Sequence, residues 1–338
     1  GFTVGGLIGN GDGFVLRDAN GIRPAYYYIN DEIIVAASER SSIRTAFNLG
    51  ENEVKELMPG QALIADHLGN VSIEQILEPK ERKACSFERI YFSRGSDEKI
   101  YRERIALGYH LSRLVLEAVD YDLKNTIFSY IPNTAEVAYF GLCKGMEDYL
   151  NQIKVQRIAS WGSKIDLVKL DEMINRKIRQ EKIAIKDVKL RTFITADNAR
   201  DEMVQHVYDI TYGTVRKNED TLVVIDDSIV RGTTSKSLID FVKEVEPAEI
   251  HFLVGCPPVV APCFNGVAMA SKKELIAANY SIEEIRQQLD IDTLGYISLE
   301  SLVKAIGMPK EDLCLGCLNE CYPTELPDDI EAETYYKP

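Results

Sequence analysis

The stretch TLVVIDDSIVRGTTSKSLIDF, Thr221 to Phe241, sets two carboxylates, Asp226 and Asp227, directly after a run of Val and Ile. Adjacent carboxylates at the end of a buried strand repel one another, and they are costly there unless something positive or hydroxyl-rich offsets them. A divalent cation or the 2- and 3-hydroxyls of a sugar supplies that offset. The residues that follow, Ser228 to Ser235, include Arg231, Gly232 for a tight turn, and the hydroxyls of Thr233, Thr234 and Ser235. Backbone N–H groups in such a loop, with the start of the next helix behind them, form an anion site. An acid pair followed by a phosphate loop points to a phosphorylated ribose together with Mg²⁺. The plainer alternative makes the acids part of a solvated loop and the Ser/Thr residues a helix cap.

Ligands of a parallel α/β sheet bind beyond the carboxyl ends of its strands, so the flanking sequence must supply such a sheet. From about residue 86 the pattern does. ERIYFSRGS reads as a strand and loop, and YRERIALGYHLSRLVLEAV spaces its apolar residues as a helix. NTIFSYIPN reads as a strand ending at Pro132, TAEVAYFGLCKGMEDYLNQI as a helix, and LDEMINRKIRQEKIAIK as a charged helical stretch. TLVVI is the next strand, SKSLIDFVKEV its helix, and EIHFLVGCPP a further strand. This alternation predicts a parallel sheet with helices on both faces. Ser281 and Glu284 in SIEEIRQQL form a capping-box pattern. Residues 1–80 are different, with short alternating strands around the turns Asn20-Gly21, Asn30-Asp31 and Leu68-Gly69-Asn70. They predict an antiparallel β region. Glu78–Ser86 is a charged connector, so the domains are expected over 1–85 and 86–338, the latter including a C-terminal cysteine-containing segment.

The totals fit this division. The 338 residues suit about two domains of roughly 100–200 residues each. A chain 45% hydrophobic and 27% charged has an ordinary globular balance. Its net charge of −14 argues against nucleic acid as a partner. No apolar run approaches the roughly 20 residues of a membrane span, and GFTVGGLIGNGDGF has no signal-peptide pattern. A cytoplasmic location without membrane contact is the expectation. Seven cysteines, an odd count in a long chain, favour metal or redox roles over a disulfide framework.

The string VVIDDSIVRGTTS resembles the phosphoribosyl pyrophosphate (PRPP) loop of type I phosphoribosyltransferases, in the form found in glutamine PRPP amidotransferases, the amidophosphoribosyltransferases. Neither a Walker A motif nor a Rossmann glycine pattern accompanies it. RDANGIRP (Arg17–Pro24), ASE (Ala37–Glu39) and MPGQALI resemble the later strands and final hairpin of that family's glutaminase domain. IYFSR resembles the start of its transferase domain, and RTFI (Arg191–Ile194), ELIAAN and SIEEIRQQL…DTLGYIS fit it further on. Nearly all of residues 1–330 are covered. The implied fold is α/β: a type I phosphoribosyltransferase sheet flanked by helices, preceded by a partial antiparallel β layer of an N-terminal-nucleophile glutaminase domain.

The resemblance implies that ammonia displaces pyrophosphate at ribose C1 to give 5-phosphoribosylamine, the first committed step of de novo purine synthesis. In the whole enzyme that ammonia comes from glutamine. Ammonia is already a nucleophile, so no protein base is assigned; positioning and electrostatics carry the catalysis. IPNT (Ile131–Thr134) resembles the family's pyrophosphate and metal loop, which puts Thr134 near Mg²⁺ with Asp226 and Asp227. Thr134 reads equally as a helix N-cap ahead of AEVAYF. Ser228 to Ser235 would hold the 5-phosphate, chiefly through Arg231, Gly232, Thr233 and Thr234; Arg231 reads otherwise as a surface residue. IKDVKLRTFI (Ile185–Ile194) stands where the family has a KNRYVGRTFI-like loop, leaving Lys186, Lys189 and Arg191 as phosphate contacts. Arg94-Gly95-Ser96-Asp97 departs from the usual RPDS. A homo-oligomer and feedback by purine nucleotides are also implied.

The family's glutaminase uses an N-terminal cysteine as nucleophile. Here residue 1 is Gly1 and the first cysteine is Cys85. The expectation is a chain that begins inside the glutaminase domain and does not hydrolyse glutamine. Cys314-Leu-Gly-Cys317 is a CxxC pair, and Cys85 and Cys263 fall where one branch of the family places two further cluster ligands. Four such thiolates imply a [4Fe–4S] cluster. Zn²⁺ fits the same sulfurs, and buried apolar thiols are the third option. Cys321 is a competing ligand, and Cys143 and Cys256 read as core. Two rival functions remain: a PRPP-sensing regulator without chemistry, and another type I phosphoribosyltransferase acting on a purine base.

Overall fold

A computed structural model describes residues 1–162, 165–186, 208–267, 269 and 271–325. The chain divides into two compact units, one of Gly1–Tyr101, Val260–Leu275 and Gly307–Pro338, the other of Arg102–Val259 and Ile276–Ile306.

The first unit carries β1 (Thr3–Leu7), β2 (Gly13–Arg17), β3 (Tyr26–Ile29), β4 (Ile34–Ala37), β5 (Lys55–Glu56), β6 (Gln61–Ala65), β7 (Val71–Gln75) and β8 (Ala84–Cys85). They form antiparallel sheets in the orders β1-β2-β6-β7 and β4-β3-β5, as the alternating pattern predicts. Ala25, Leu57 and Leu63 make a small core, with Val15, Tyr27, Val71 and Ile73 packed against it. The predicted turns sit at β3–β4 and β6–β7, where Gly69 takes the left-handed conformation at φ +88°. RDANGIRP is architectural in this unit. Arg17, 2% exposed, donates to the carbonyls of Gly21, Arg23 and Leu57. Asp18 accepts from the N–H groups of Asn20, Ile22 and Arg23.

ERIYF differs from the expected strand. Glu88–Phe92 winds as a single π-helical stretch, with the Ser93 N–H on the Glu88 carbonyl at 2.8 Å. β-prone residues form a strand only where a ladder partner exists. Here the turn instead buries Phe87 and Ile90 and sets the Phe87 ring 5.9 Å from both Tyr91 and Phe92.

The second unit carries β9 (Thr126–Tyr130), β10 (Arg179–Gln180), β11 (Ala184–Lys186), β12 (Tyr208–Ile210), β13 (Thr221–Asp226), β14 (Glu249–Val254) and β15 (Thr293–Tyr296). Five of them form a parallel sheet in the order β10-β9-β13-β14-β15, and β11 pairs antiparallel with β12. β13 lies at the centre, and every residue from Leu222 to Asp226 is buried. The longer helices of the chain are α1 (Arg40–Phe47), α2 (Glu98–Ala118), α3 (Glu136–Ser160), α4 (Leu167–Asn175), α5 (Thr233–Val242), α6 (Ile282–Leu289) and α7 (Leu299–Ile306). The capping box of Ser281 and Glu284 opens α6 as expected.

The charged helix expected through Lys186 stops at Asn175. Beyond it, Arg179 and Gln180 extend to pair with β9. The reason is Asp220, fully buried just before β13. Arg179 reaches its carboxylate with two bonds of 2.5 and 2.8 Å, and the Arg216 N–H adds a third at 2.7 Å. A buried charge needs such partners, and the extended backbone delivers Arg179 to it. The last strand, β16 (Leu313–Cys314), belongs to the first unit and runs parallel to β8, with Cys314 opposite Cys85.

Candidate functional site

Asp226 ends β13 and Asp227 begins the loop at the carboxyl end of the sheet, where the pattern predicts a ligand site. Asp226 is buried, and its Oδ1 accepts the Asp227 N–H at 2.8 Å. The Ser228 hydroxyl donates to Asp227 at 2.7 Å. The Thr134 hydroxyl also hydrogen-bonds Asp227. It does not cap α3, whose N-cap is Ala135 without a side-chain bond. Burial, followed by the charge of Asp227, pushes Asp226 well above the usual carboxylate range. Burial likewise pushes Asp227 up to about 6, against the opposing pull of Ser228, Arg104, Thr134 and Lys186. Two carboxylates so placed favour the arrival of a cation or a row of hydroxyls.

Lys186 ends β11 with its Nζ 5.3 Å from the centre of the Tyr208 ring on β12, and its charge acts on both aspartates. The Tyr208 hydroxyl donates to the Pro132 carbonyl at 3.4 Å, tying this pair of strands to the IPNT loop. Lys189 and Arg191 lie outside the described residues.

The rest of the phosphate loop turns on Gly232, at φ +85°, directly before α5. A Cβ there would lie 2.5 Å from Ile276 Cδ1, so glycine is required for space as well as for conformation. No side chain caps α5. By helix geometry its first N–H groups have no intrahelical acceptor, the arrangement that receives anions. Arg231, Gly232 and Thr233 line a cavity of about 400 Å³ together with Lys236 and Gln288. Thr234 is half-buried and Ser235 is buried. The structure therefore joins Thr134, Asp226, Asp227 and Ser228 at the first end of the loop, and Arg231, Gly232 and Thr233 at the other.

Three segments of the first unit carry the four cysteines. Cys85 and Cys314 face each other across β8 and β16. The backbone N–H of Asn265 points to Cys263 Sγ at 3.4 Å, and its side-chain amide to Cys314 Sγ at 3.7 Å. The Cys317 carbonyl accepts the N–H groups of Val260 and Ala261, which ties the CxxC turn to the segment leading to Cys263. All four are buried, whereas Cys321 is exposed. Burial pushes the Cys85 thiol up to about 12, with Cys314 contributing second. Burial thus favours Cys85 as a neutral thiol in the absence of a metal, although four cysteines are the donor types a thiolate-bound metal or cluster uses. Among the described residues, however, no group of three or more His, Cys, Asp or Glu is arranged to hold a metal ion.

Arg104 on α2 was not singled out by the sequence reading. The signal was present, because Arg104, Leu107, Leu111 and Val115 keep the spacing of one buried helix face.

No family model matches the sequence. The chain is 34% identical over 330 residues to the amidophosphoribosyltransferase of Methanothermobacter thermautotrophicus, covering 95% of this chain and 60% of that protein. It is 31% identical over 326 residues to the amidophosphoribosyltransferase of Bacillus subtilis, covering 93% and 60%. Among solved structures, the B. subtilis glutamine PRPP amidotransferase complexed with ADP and GMP superposes with a TM-score of 0.69 at 29% identity, covering 94% of this chain and 63% of that one. The chain thus spans about 60% of the length of the curated relatives it matches. Over that span its parallel sheet, helices and antiparallel sheets have the α/β type I phosphoribosyltransferase fold of these proteins, and its sequence is similar to theirs along nearly its whole length.

Proposed function

We propose that this chain catalyses the displacement of pyrophosphate from C1 of PRPP by ammonia, giving 5-phosphoribosylamine. The observation that carries the reading is the aspartate pair at the end of the central strand, joined by Thr134 and followed by a Gly232-hinged turn into α5. In this reading Asp226 and Asp227 take the ribose hydroxyls and Mg²⁺, with Thr134 beside them. Ser228 to Ser235 receive the 5-phosphate, with Arg231, Gly232, Thr233 and Thr234 as contacts. Lys189 and Arg191 complete the phosphate contacts. Mg²⁺, when bound, neutralises the departing pyrophosphate. The protein's own part is to orient C1 towards ammonia and to surround the leaving group with fixed charge. The C1–O bond breaks as the C1–N bond forms, and the new ammonium loses its proton to solvent.

Residues 1–85 correspond in this reading to part of a glutaminase β layer, and the whole enzyme would draw its ammonia from glutamine. Cys85, Cys263, Cys314 and Cys317 would hold a [4Fe–4S] cluster, or Zn²⁺ in its place, as a structural staple. A solved relative is described as complexed with ADP and GMP, which supports purine nucleotides as feedback ligands here. A homo-oligomer and a cytoplasmic location complete the proposal. No helix among the described residues is long and apolar enough to cross a membrane.

The test is pyrophosphate release from PRPP and Mg²⁺ by anaerobically purified protein, with ammonium as nitrogen donor. Ammonium-dependent release is expected. PRPP binding without turnover would favour a non-catalytic regulator, and release that requires a purine base would favour another phosphoribosyltransferase.

A further inference from the structure

The loop Ile131–Thr134 leaves the sheet at the carboxyl end of β9, beside the strand that ends in Asp226. The Ile131 N–H donates to the Ile225 carbonyl at 2.9 Å, which fixes the entry of the loop directly before Asp226. Tyr208 holds the Pro132 carbonyl in its middle. One side-chain bond then ties the entry to the exit. The hydroxyl of Tyr130, the last residue of β9, donates at 2.7 Å to Oε1 of Glu136, the first residue of α3. That bond spans the whole loop, six positions of sequence.

Packing holds the phenol in place. Tyr130 is 5% exposed, and its ring lies 4.8 Å from that of Tyr139 on α3. The Tyr139 hydroxyl in turn donates to the Phe128 carbonyl on β9 at 3.2 Å. A phenol hydroxyl buried without a partner is costly, and a hydrogen bond to a carboxylate is stronger than one between neutral groups. The pair is therefore fixed by its neighbours as well as by its own bond.

We infer that Tyr130 and Glu136 are positioning residues of the transferase site: their bond staples the two ends of the Ile131–Thr134 loop and so fixes where Thr134 stands when Mg·PRPP arrives. Tyr130 is enclosed and the Glu136 carboxylate repels phosphate, so neither serves as a substrate contact. Both act through the loop between them. The staple also holds the carboxylate back towards β9, away from the incoming pyrophosphate.

This inference rests on the PRPP reading above. The experiment compares wild type with Y130F, E136Q, E136A and T134V, and with the double variants Y130F/E136A and Y130F/T134V. Calorimetry measures Mg²⁺-dependent PRPP binding, ammonium-dependent pyrophosphate release gives KM and kcat, and thermal unfolding reports the fold. Loss of the staple predicts that Y130F raises KM for Mg·PRPP roughly three- to tenfold, with a smaller change in kcat. E136A should match Y130F, whereas E136Q, which keeps an oxygen acceptor, should retain most of the wild-type affinity. Y130F/E136A should be no worse than Y130F alone, because the two side chains act as one unit. Y130F should likewise add little once T134V has removed the hydroxyl that the staple positions. An acid in the first turn of a helix also stabilises that helix without any partner. If that is all Glu136 does, E136A lowers Tm, KM stays unchanged and Y130F has no effect, which would overturn the assignment. A Y130F penalty that multiplies fully with that of T134V would overturn it too. If E136A does not fold, Y130F and E136Q carry the comparison with the same expected order. Wild type that folds yet binds no Mg·PRPP overturns the functional reading itself. Wild type that binds normally alongside an equally competent Y130F overturns only the role of the staple.

Discussion

The Thr134 hydroxyl hydrogen-bonds the Asp227 carboxylate instead of capping the helix it precedes. A hydrogen bond to a charged group contributes about 1.5–3 kcal/mol. T134V, which keeps the shape and removes the hydroxyl, should therefore raise KM for Mg·PRPP by roughly tenfold or more. No cap is lost, so the fall in Tm should be no more than that one bond allows, about 3–12 °C. A large loss of Tm with unchanged KM would return Thr134 to the role of a helix cap.

Gly232 should tolerate no side chain. G232A forces a Cβ into a left-handed backbone and to within 2.5 Å of Ile276 Cδ1. The variant should lose about 1–2 kcal/mol of stability from the backbone alone and bind PRPP more weakly, as thermal unfolding and calorimetry would read. Adding I276A should relieve the clash but not the backbone strain, so recovery should be partial. Full recovery would mean that the conformation itself carries no penalty.

The aspartate pair should make the metal-free protein less stable as pH rises. Asp227 titrates at about 6 in the fold against an ordinary 3.8. Its contribution is therefore fully present below 3.8 and lost as pH rises through about 6. Tm measured without divalent cations should fall across that window, and D226N/D227N should flatten the slope. Mg²⁺ should restore Tm more at pH 7.5 than at pH 5, because only the ionised pair attracts it. Asp220 works in the opposite sense. Its arginine partners hold it far below the usual range, so its contribution is present at neutral pH and lost in acid.

Anaerobic preparations should contain about four irons per chain if the buried thiols hold a cubane cluster. C85S and C314S should lose the iron, while C321S, at an exposed position, should keep it. Zinc in place of iron, lost in the same two variants, would identify the tetrahedral alternative.

Much of this was legible in the sequence because it depends on local chemistry. The run TLVVID forms a strand buried from Leu222 to Asp226, with the second acid opening the loop, and Gly232 opens the helix that follows. The capping box at Ser281 is likewise a short-range signal. What escaped depends on distant partners. ERIYF has strand-forming residues but winds into a π-helical stretch. Residues 179 and 180 look helical and are extended because Asp220, far along the chain, draws Arg179 to it. Arg104 interrupts the apolar face of α2, and that interruption is readable from the spacing of Leu107, Leu111 and Val115 alone.

The pairing of β8 with β16 has a consequence for biosynthesis. Ser86 donates its hydroxyl to the Cys314 carbonyl across 228 positions of sequence. Ribosomes deliver the chain from its N-terminus, so Cys85 emerges long before the strand that will lie beside it. The parallel sheet of the second unit, built mostly from the intervening residues, can form while that strand is still being made. The first unit must wait with Ala84 and Cys85 unpaired, closing a long loop only once Leu313 and Cys314 have been made. Any metal that needs all four thiols can then enter only after Cys317 has emerged, when the sheet of the second unit is free to have formed.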